Sequence, residues 1–275
     1  MCTFNPGPPH EVISTGLPAL DATLPRGGLA LGGVHEWIGL APADSIETAS
    51  QQRPAPARWT PPLTILSHLC GCAARHTADA LPSLPGARST VEFPDALIVW
   101  IGAEVWPYAP TLADHAAGNL LTPSIFVQAV TTAERLWATD LALRAGATAV
   151  VADAGGFDLS STRRLQLAAE SSGALCLLTR PPWEEKELSA ATTRWRIAPH
   201  PRALDHAADA HASANITSRR WTVELLRCKG LRPAVGASTR WLLEHDHAAR
   251  AGLMAADLRD GSGLAAAAPP RRASG

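Results

Sequence analysis

Lysine is nearly absent from this chain of 275 residues: of its 24 basic residues, two are lysines, Lys186 and Lys229. A phosphate loop of the P-loop type needs a lysine to neutralise the terminal phosphates of a bound nucleotide. No lysine precedes Lys186, so no register of such a loop in the first two thirds of the chain contains that cation. The formal net charge of -1 also excludes a global positive field that would draw the protein onto nucleic acid.

Long apolar runs and ordered metal-ligand spacings are missing as well. No uninterrupted apolar stretch reaches membrane-spanning length, and the N-terminus has no basic segment followed by an apolar run. The five cysteines form an odd set without the spacing of a disulfide framework or a zinc site, and the ten histidines are scattered. We therefore expect a soluble, cytoplasmic protein with reduced thiols, no bound metal and no membrane contact.

The chain does contain a regular alternation of apolar runs and helical patterns. Strands are predicted over 34–38, 96–104, 124–129, 147–156 and 174–182, and helices over 63–76, 131–146 and 160–173. Thr131 and Glu134 have the spacing of a capping box, and Leu136, Trp137, Leu141 and Leu143 are the apolar residues of that helix. Nearly continuous apolar strands separated by helices predict an α/β fold with a largely parallel central sheet covered on both faces.

The C-terminal part has a different pattern. Segments 193–199, 219–230 and 238–246 alternate between apolar and polar residues, which predicts an antiparallel hairpin extending one edge of the sheet. The last residues, with the sequence "DGSGLAAAAPPRRASG", lack core-forming side chains. We expect one core domain over 1–247, with insertions at about 41–62 and 77–95, followed by a partly disordered tail over 248–275.

The segment after the first strand stands where a nucleotide-binding protein carries its phosphate loop. In "HEWIGLAPADSIETAS", Gly39 fits the first glycine of such a loop. Counting onward, Asp44 takes the place of the second glycine, Ser45 that of the lysine and Ile46 that of the magnesium-binding hydroxyl. Asp44 would repel phosphate and Ser45 brings no cation, so neither ATP nor magnesium is expected to bind.

Two acids follow later strands, where ligands of open parallel sheets bind. Glu104 comes after the second predicted strand, and Asp153 ends the strand "AVVAD". In a P-loop ATPase an acid in such a position orients magnesium and a glutamate activates water. The alternative is structural, with Asp153 as a turn former or helix cap, and without a phosphate loop we favour that interpretation for both acids.

A local excess of positive charge lies near the C-terminus, where six basic residues fall within a short span: Arg219, Arg220, Arg227, Lys229, Arg232 and Arg240. They indicate either a solvated sheet edge or a surface that contacts an acidic partner or a nucleic-acid backbone, and charge alone does not separate these. Because the charge is local, any DNA binding is expected to be weak or indirect and strongly dependent on salt.

Several of these segments resemble a known family. "ISTGLPALDATLPRGGLALGGVHEWIG" is similar to the start of the ATPase core of RecA-type recombinases, "LIVWIGAE" to the strand carrying their catalytic glutamate and "AVVAD" to their Walker B strand. The resemblance spans about residues 12 to 245 and implies a RecA-like P-loop NTPase fold. It maps the glutamate onto Glu104 and the aspartate onto Asp153, within a vestigial nucleotide site with a degenerate phosphate loop.

The missing lysine, the short length and the stretch "RRWTVELLRCKG" look more like the ImuA family, the RecA-like accessory proteins of bacterial damage-induced mutagenesis. That resemblance implies an SOS-induced, non-enzymatic protein that supports translesion DNA synthesis. Its implied partners are ImuB, an error-prone C-family DNA polymerase alpha subunit and RecA itself. Two alternatives stay open: a weak ATP-binding or ATPase switch, and a cell-division inhibitor of the SulA type.

Overall fold

The computed structural model describes residues 11–40, 59–80, 93, 95–200, 218–231, 239–246 and 254–257. Predictions that concern Asp44, Ser45, Ile46 and Arg232, most of the insertions at 41–62 and 77–95, and most of the C-terminal tail lie outside these residues. Among the described residues, no helix is long and apolar enough to cross a membrane.

The described residues form a core of one mixed sheet with nine strands. In chain order they are β3 (Val34–Ile38), β4 (Ile98–Ile101), β5 (Ser124–Val127), β6 (Ala149–Asp153), β7 (Leu175–Arg180), β8 (Thr193–Pro199), β9 (Ser218–Cys228), β10 (Arg240–Asp246) and β11 (Met254–Asp257). Across the sheet they are ordered β11-β10-β9-β8-β3-β7-β6-β4-β5. The strands from β8 to β5 run parallel, whereas β9, β10 and β11 pair antiparallel.

In the described part of the chain, a short ribbon and five α-helices accompany this sheet. The ribbon pairs β1 (Val12–Ile13) with β2 (Leu29–Ala30). The helices are α1 (Pro18–Asp21), α2 (Leu63–Asp79), α3 (Ala109–Ala113), α4 (Thr132–Arg144) and α5 (Leu159–Ser172). Side chains of α1, α2 and α3 pack in one apolar cluster on one face, and those of α4 and α5 pack in a second cluster on the other. The predicted α/β fold with a mostly parallel, doubly covered sheet is confirmed.

Local signals set the helix boundaries. The Thr131 hydroxyl accepts from the amide of Glu134, and the Glu134 carboxylate accepts from the amide of Thr131 at 2.9 Å, so the predicted capping box is present. Helix α5 begins after Asp158, whose carboxylate accepts from the Ser161 amide. It ends at Gly173, which has a φ of 76°, a left-handed conformation that glycine adopts without strain. The two N-caps fix where α4 and α5 leave the carboxyl edge of the sheet, and Gly173 fixes where the chain turns back into β7 at the opposite edge.

The antiparallel extension is present, but it reaches further than the sequence predicts. The hairpin of β9 and β10 lies between β8 and β11, so β11 forms the outer edge of this side of the sheet. Strand β11 falls within the range that the sequence assigns to the tail. The four residues of β11, Met-Ala-Ala-Asp, show no alternation, and pairing with β10 supplies the main-chain partners that stabilise them.

Tryptophans dominate the apolar cluster on the α2 side of the sheet. Trp37 of β3 stacks on Trp195 of β8 with ring centroids 5.3 Å apart, and Trp195 contacts Trp241 of β10 at 6.0 Å. All three rings are buried, so they join the parallel and antiparallel parts of the sheet. Trp137 differs: it is 61% exposed on the outer face of α4, with Leu141 50% exposed one turn later, so these two residues do not belong to the core.

Candidate functional site

The carboxyl end of β3, where a phosphate loop would begin, is closed by protein. Leu40 pairs with Thr60 through two main-chain hydrogen bonds of 2.8 and 3.0 Å, which returns the chain across the strand end. A Cβ atom on Gly39 would lie 2.3 Å from the ring of Trp59 and 2.7 Å from the carbonyl oxygen of Thr60. Gly39 is therefore required by the close approach of Trp59, whose ring packs against the backbone at the end of β3.

The N-terminus of α2 has also lost most of the donors that an anion would use. Pro61 and Pro62 precede the helix and contribute no N–H. The amides of Leu63, Ile65 and Leu66 donate to the carbonyl oxygens of these two prolines at 2.9 to 3.1 Å. Phosphate binding at a helix N-terminus depends on free amides of the first turn. Here that turn is closed on itself, so the helix offers a phosphate little beyond its dipole.

Asp153 ends β6 at the same edge of the sheet, and both of its carboxylate oxygens are engaged. One oxygen accepts from the Gly155 amide at 2.9 Å, and the other lies 3.5 Å from Nε of Arg135. Arg135 also donates to the carbonyl oxygens of Asp153, Val130 and Gly155 at 3.0, 2.7 and 2.9 Å. A guanidinium thus neutralises the carboxylate that a magnesium site would need free, which favours the structural interpretation of Asp153.

Glu104 lies in a single 3-10 turn, Ala103–Val105, directly after β4. Its side chain is exposed and has no hydrogen bond or ion pair within the described part of the chain. Gly102 has a φ of 91° and lies against Asp153. A Cβ atom placed on Gly102 would be 3.1 Å from the Cβ atom of Asp153. The structure therefore brings the segments of Glu104 and Asp153 together, while Gly39 stands across β7 from them.

A buried charge network, which the sequence did not predict, lies beside this edge. Both oxygens of Glu36 in β3 are used: Nε of Arg180 lies 3.2 Å from one, and Nε of Arg194 lies 2.8 Å from the other. The Ser189 hydroxyl donates to the first oxygen at 2.6 Å. All four residues are buried. A charged residue inside an otherwise apolar strand, as in "VHEWI" and "LCLLTR", is the sequence signal that could have indicated this network.

Glu184 extends the network toward solvent. It pairs with Arg180 at 3.1 Å and accepts from the Gly156 amide at 2.9 Å. Burial raises the pKa of Glu184, while the Gly156 amide and the Arg180 charge oppose that rise. Arg180 also donates to the carbonyl oxygen of Phe157. The segments that follow β6 and β7 are thus fixed to each other by charge-assisted hydrogen bonds.

The predicted basic cluster divides into two groups. Arg220 pairs with Glu244 at 3.2 Å, and Arg240 pairs with Glu224 at 3.3 Å, so much of the charge on the hairpin is neutralised in place. Arg219 and Lys229 are exposed. Arg227 lies close to Lys229 but makes no ion pair among the described residues, and it donates instead to main-chain carbonyl oxygens.

No group of histidine, cysteine and acidic residues that could hold a metal ion occurs among the residues described. Cys70, Cys72 and Cys176 are buried free thiols, and burial raises the pKa of each. A raised thiol pKa lowers the fraction of reactive thiolate. Among the described acids at the carboxyl edge of the sheet, Asp153 and Glu184 are engaged in ion pairs, whereas Glu104 is exposed.

Comparison with known proteins gives two relatives of nearly full length. The chain is 31% identical over 250 residues to Protein ImuA of Caulobacter vibrioides strain NA1000 / CB15N. It has the same identity to Protein ImuA of Caulobacter vibrioides strain ATCC 19089 / CIP 103742 / CB 15. Each alignment covers 87% of this chain and 86% of the relative. No family model matches the chain.

Proposed function

Because the chain belongs to the ImuA family, we propose that it is a non-catalytic accessory protein of damage-induced mutagenesis. In this proposal it acts in the cytoplasm and supports translesion DNA synthesis through contacts with ImuB and an error-prone C-family DNA polymerase alpha subunit, and with RecA. DNA contact is weak or indirect. The observation that carries the proposal is the relationship over 87% of the chain, and the packing of Trp59 and Thr60 against Gly39 at the end of β3 supports it.

The scaffold in this proposal is RecA-like. The parallel order of β8, β3, β7, β6, β4 and β5 supports it, because β3 and the acidic ends of β4 and β6 share one edge, as in a nucleotide-binding sheet. The loss of phosphate-binding groups within this retained sheet is what an adaptor derived from an ATPase should show. The Trp59 ring against Gly39, the prolines before α2 and the Arg135 ion pair are three independent obstacles to nucleotide binding.

The partner contact can be tested by co-purification with ImuB from the same organism. We expect the full chain to retain ImuB, and a chain ending after Asp257 to retain about tenfold less, equivalent to about 1.4 kcal/mol of binding free energy. Ending the chain there keeps β11, whereas ending it at Asp246 would also remove an edge strand of the sheet. If the full chain does not retain ImuB, the proposed function is wrong. Equal retention by both chains would show that residues 258–275 do not contribute to ImuB binding.

The absence of nucleotide chemistry is tested by titrating the full chain with a fluorescent ATP analogue and magnesium. We expect no saturable change in fluorescence up to millimolar analogue, because the first turn of α2 has no set of free amides and no lysine is near. A RecA-type ATPase in the same assay is the positive control. Saturable binding at micromolar concentration that is lost in Asp153→Ala would contradict the non-catalytic proposal and favour an ATP-dependent switch.

A further inference from the structure

Helix α5 presents leucines to solvent along its outer face. Leu159, Arg163 and Leu167 follow one another at intervals of four residues, which places them on one line of the helix. Leu159 is 47% exposed and Leu167 is 48% exposed, and Arg163 between them is exposed as well. The opposite face, with Leu165, is buried against the sheet. The outer line of α5 is thus apolar at two positions and cationic between them.

The segment before β8 runs alongside this line. The Ala190 amide donates to the Thr162 hydroxyl at 3.0 Å, and the Thr192 hydroxyl donates to the side chain of Gln166 at 3.2 Å. Thr162 and Gln166 are the immediate neighbours of Arg163 and Leu167 in the chain, so the segment follows α5 for about one turn. Leu188, at the start of this segment, is 72% exposed. It adds a third exposed leucine next to the line.

The end of β9 brings two more cations to the same place. A terminal nitrogen of Arg227 donates to the carbonyl oxygens of Ser189 and Ala191 at 2.9 and 2.7 Å, which fixes its guanidinium on the segment. The amide of Lys229 donates to the carbonyl oxygen of Thr192 at 2.8 Å. Burial lowers the pKa of Lys229, and the nearby charges of Arg227 and Arg163 lower it further, against an opposing effect of Glu170. Three cations therefore gather at this place, and none of them has an ion pair among the described residues, although the carboxylate of Glu170 on α5 lies near Lys229.

We call this place the α5 surface. It is formed by Leu159, Arg163, Leu167, Leu188, Arg227 and Lys229. It contrasts with the hairpin, where Arg220 and Arg240 already have glutamate partners. Phosphates of a nucleic acid would match its cations but would leave three exposed leucines unused. An acidic amphipathic segment matches both, because its apolar side chains cover the leucines while its carboxylates meet the cations.

We propose that the α5 surface is a docking site for an acidic amphipathic segment of a partner protein, with apolar residues four positions apart and aspartate or glutamate between them. The leucines supply the buried area and the cations select the charge and direction of the segment. This inference does not depend on the identity of the partners proposed above. It also gives a role to cations that, unlike those of the hairpin, form no ion pair within the described part of the chain.

The test is a selection of random 16-residue peptides, displayed on phage, against the immobilised full chain. We expect the enriched peptides to carry net negative charge and leucine-like residues four positions apart. Their affinities are then measured by fluorescence anisotropy, with a labelled single-stranded oligonucleotide as a second probe. Raising the salt concentration should weaken peptide binding without abolishing it, because part of the binding is apolar.

Two pairs of substitutions separate charge from apolar contact. Arg163→Glu with Lys229→Glu, and Leu159→Ser with Leu167→Ser, should each weaken binding of the enriched peptides about tenfold or more. The matched controls are Arg219→Glu on the hairpin and Leu141→Ser on α4, both exposed, and these should change the affinity by less than about twofold. Urea unfolding of every variant shows that the fold is intact.

Several results would overturn the proposal. One is a selection that enriches no peptides, or only basic or uncharged peptides. Another is a loss of affinity for the enriched peptides in the control variants that is as large as the loss in the two test pairs. Oligonucleotide binding that is lost with Arg163→Glu and Lys229→Glu but kept with the leucine substitutions would instead make the α5 surface a nucleic-acid backbone site.

Discussion

Replacing Glu36 with glutamine is expected to lower the free energy of unfolding by about 4 kcal/mol. The carboxylate lies between two buried guanidiniums, 3.2 Å from Nε of Arg180 and 2.8 Å from Nε of Arg194. Glutamine has nearly the same shape but no charge, so Arg194 loses its carboxylate and Arg180 is left with Glu184 alone. A buried cation without a compensating charge bears the full cost of its lost hydration.

Urea unfolding of the wild-type protein and Glu36→Gln, followed by tryptophan fluorescence, measures this loss directly. The control is Glu244→Gln, which removes the carboxylate of the exposed pair with Arg220 and should cost less than about 1 kcal/mol. A loss for Glu36→Gln no greater than that of the control would show that the network is solvated and does not hold the strands together. Since β3, β7 and β8 are adjacent, the variant should unfold cooperatively at lower urea.

The network also shows what the sequence could not predict. Glu36 is far from Arg180 and Arg194 in the chain, and the three meet because β3 is inserted between β7 and β8. Strand order is decided by crossover connections and helix packing, and no local pattern encodes it. In the sequence, Glu36 is one acid in a strand-like segment, so its role becomes visible only when the neighbouring strands are known.

Features that depend on local chemistry were predictable. Continuous apolar runs identified β4, β6 and β7, because strands buried on both faces need apolar residues on both. The capping box at Thr131 and the stop at Gly173 follow from hydrogen bonds within a few residues. The placement of Asp153 and the Glu104 segment at one sheet edge follows from the parallel direction of β4 and β6. These parts of the candidate site required no knowledge of distant contacts.

Features that depend on distant contacts were not predictable. The sequence of α4 shows Trp137 and Leu141 only as two of its apolar residues, whereas the packing of α4 on the sheet leaves both exposed. The basic residues of the hairpin form a cluster in the sequence, yet register places Glu244 opposite Arg220 and Glu224 opposite Arg240. A count of basic residues in the sequence therefore overestimates the positive charge that the hairpin has available for binding a partner. It misses Arg163, which lies in a different element from the other cations of the α5 surface.

Lowering the pH from 8 to 5 is expected to destabilise the protein by about 2 kcal/mol through His35 alone. The ring is buried, with Nε2 3.0 Å from the carbonyl oxygen of Ala30 and Nδ1 2.8 Å from the Thr193 hydroxyl. Because a carbonyl oxygen only accepts, Nε2 carries the proton of the neutral ring, so Nδ1 accepts from the Thr193 hydroxyl, which itself accepts from Nε1 of Trp195 at 2.7 Å. Every donor in this chain already has an acceptor, so an added proton on Nδ1 would face the hydroxyl proton.

Burial lowers the pKa of His35 to about 4, although the Ala30 carbonyl opposes the effect. The unfolded chain takes up a proton near the ordinary value of about 6.5, so between these two values it binds more protons than the folded protein. The contribution of neutral His35 to the free energy of unfolding is fully present above about pH 6.5, and it decreases as the pH falls toward 4. The same burial effect lowers the pKa of His115 to about 4, so the wild-type protein should lose more than His35 contributes.

Urea unfolding at pH 8 and pH 5, with the wild-type protein and His35→Gln, isolates the contribution of His35. Glutamine can donate to the Ala30 carbonyl but does not titrate, so the difference in stability between the two pH values should be smaller by about 2 kcal/mol in the variant. Any cost of the substitution itself is present at both pH values and cancels in that difference. An unchanged difference would mean that His35 is protonated in the folded protein, which the hydrogen-bond chain from Trp195 through Thr193 does not allow.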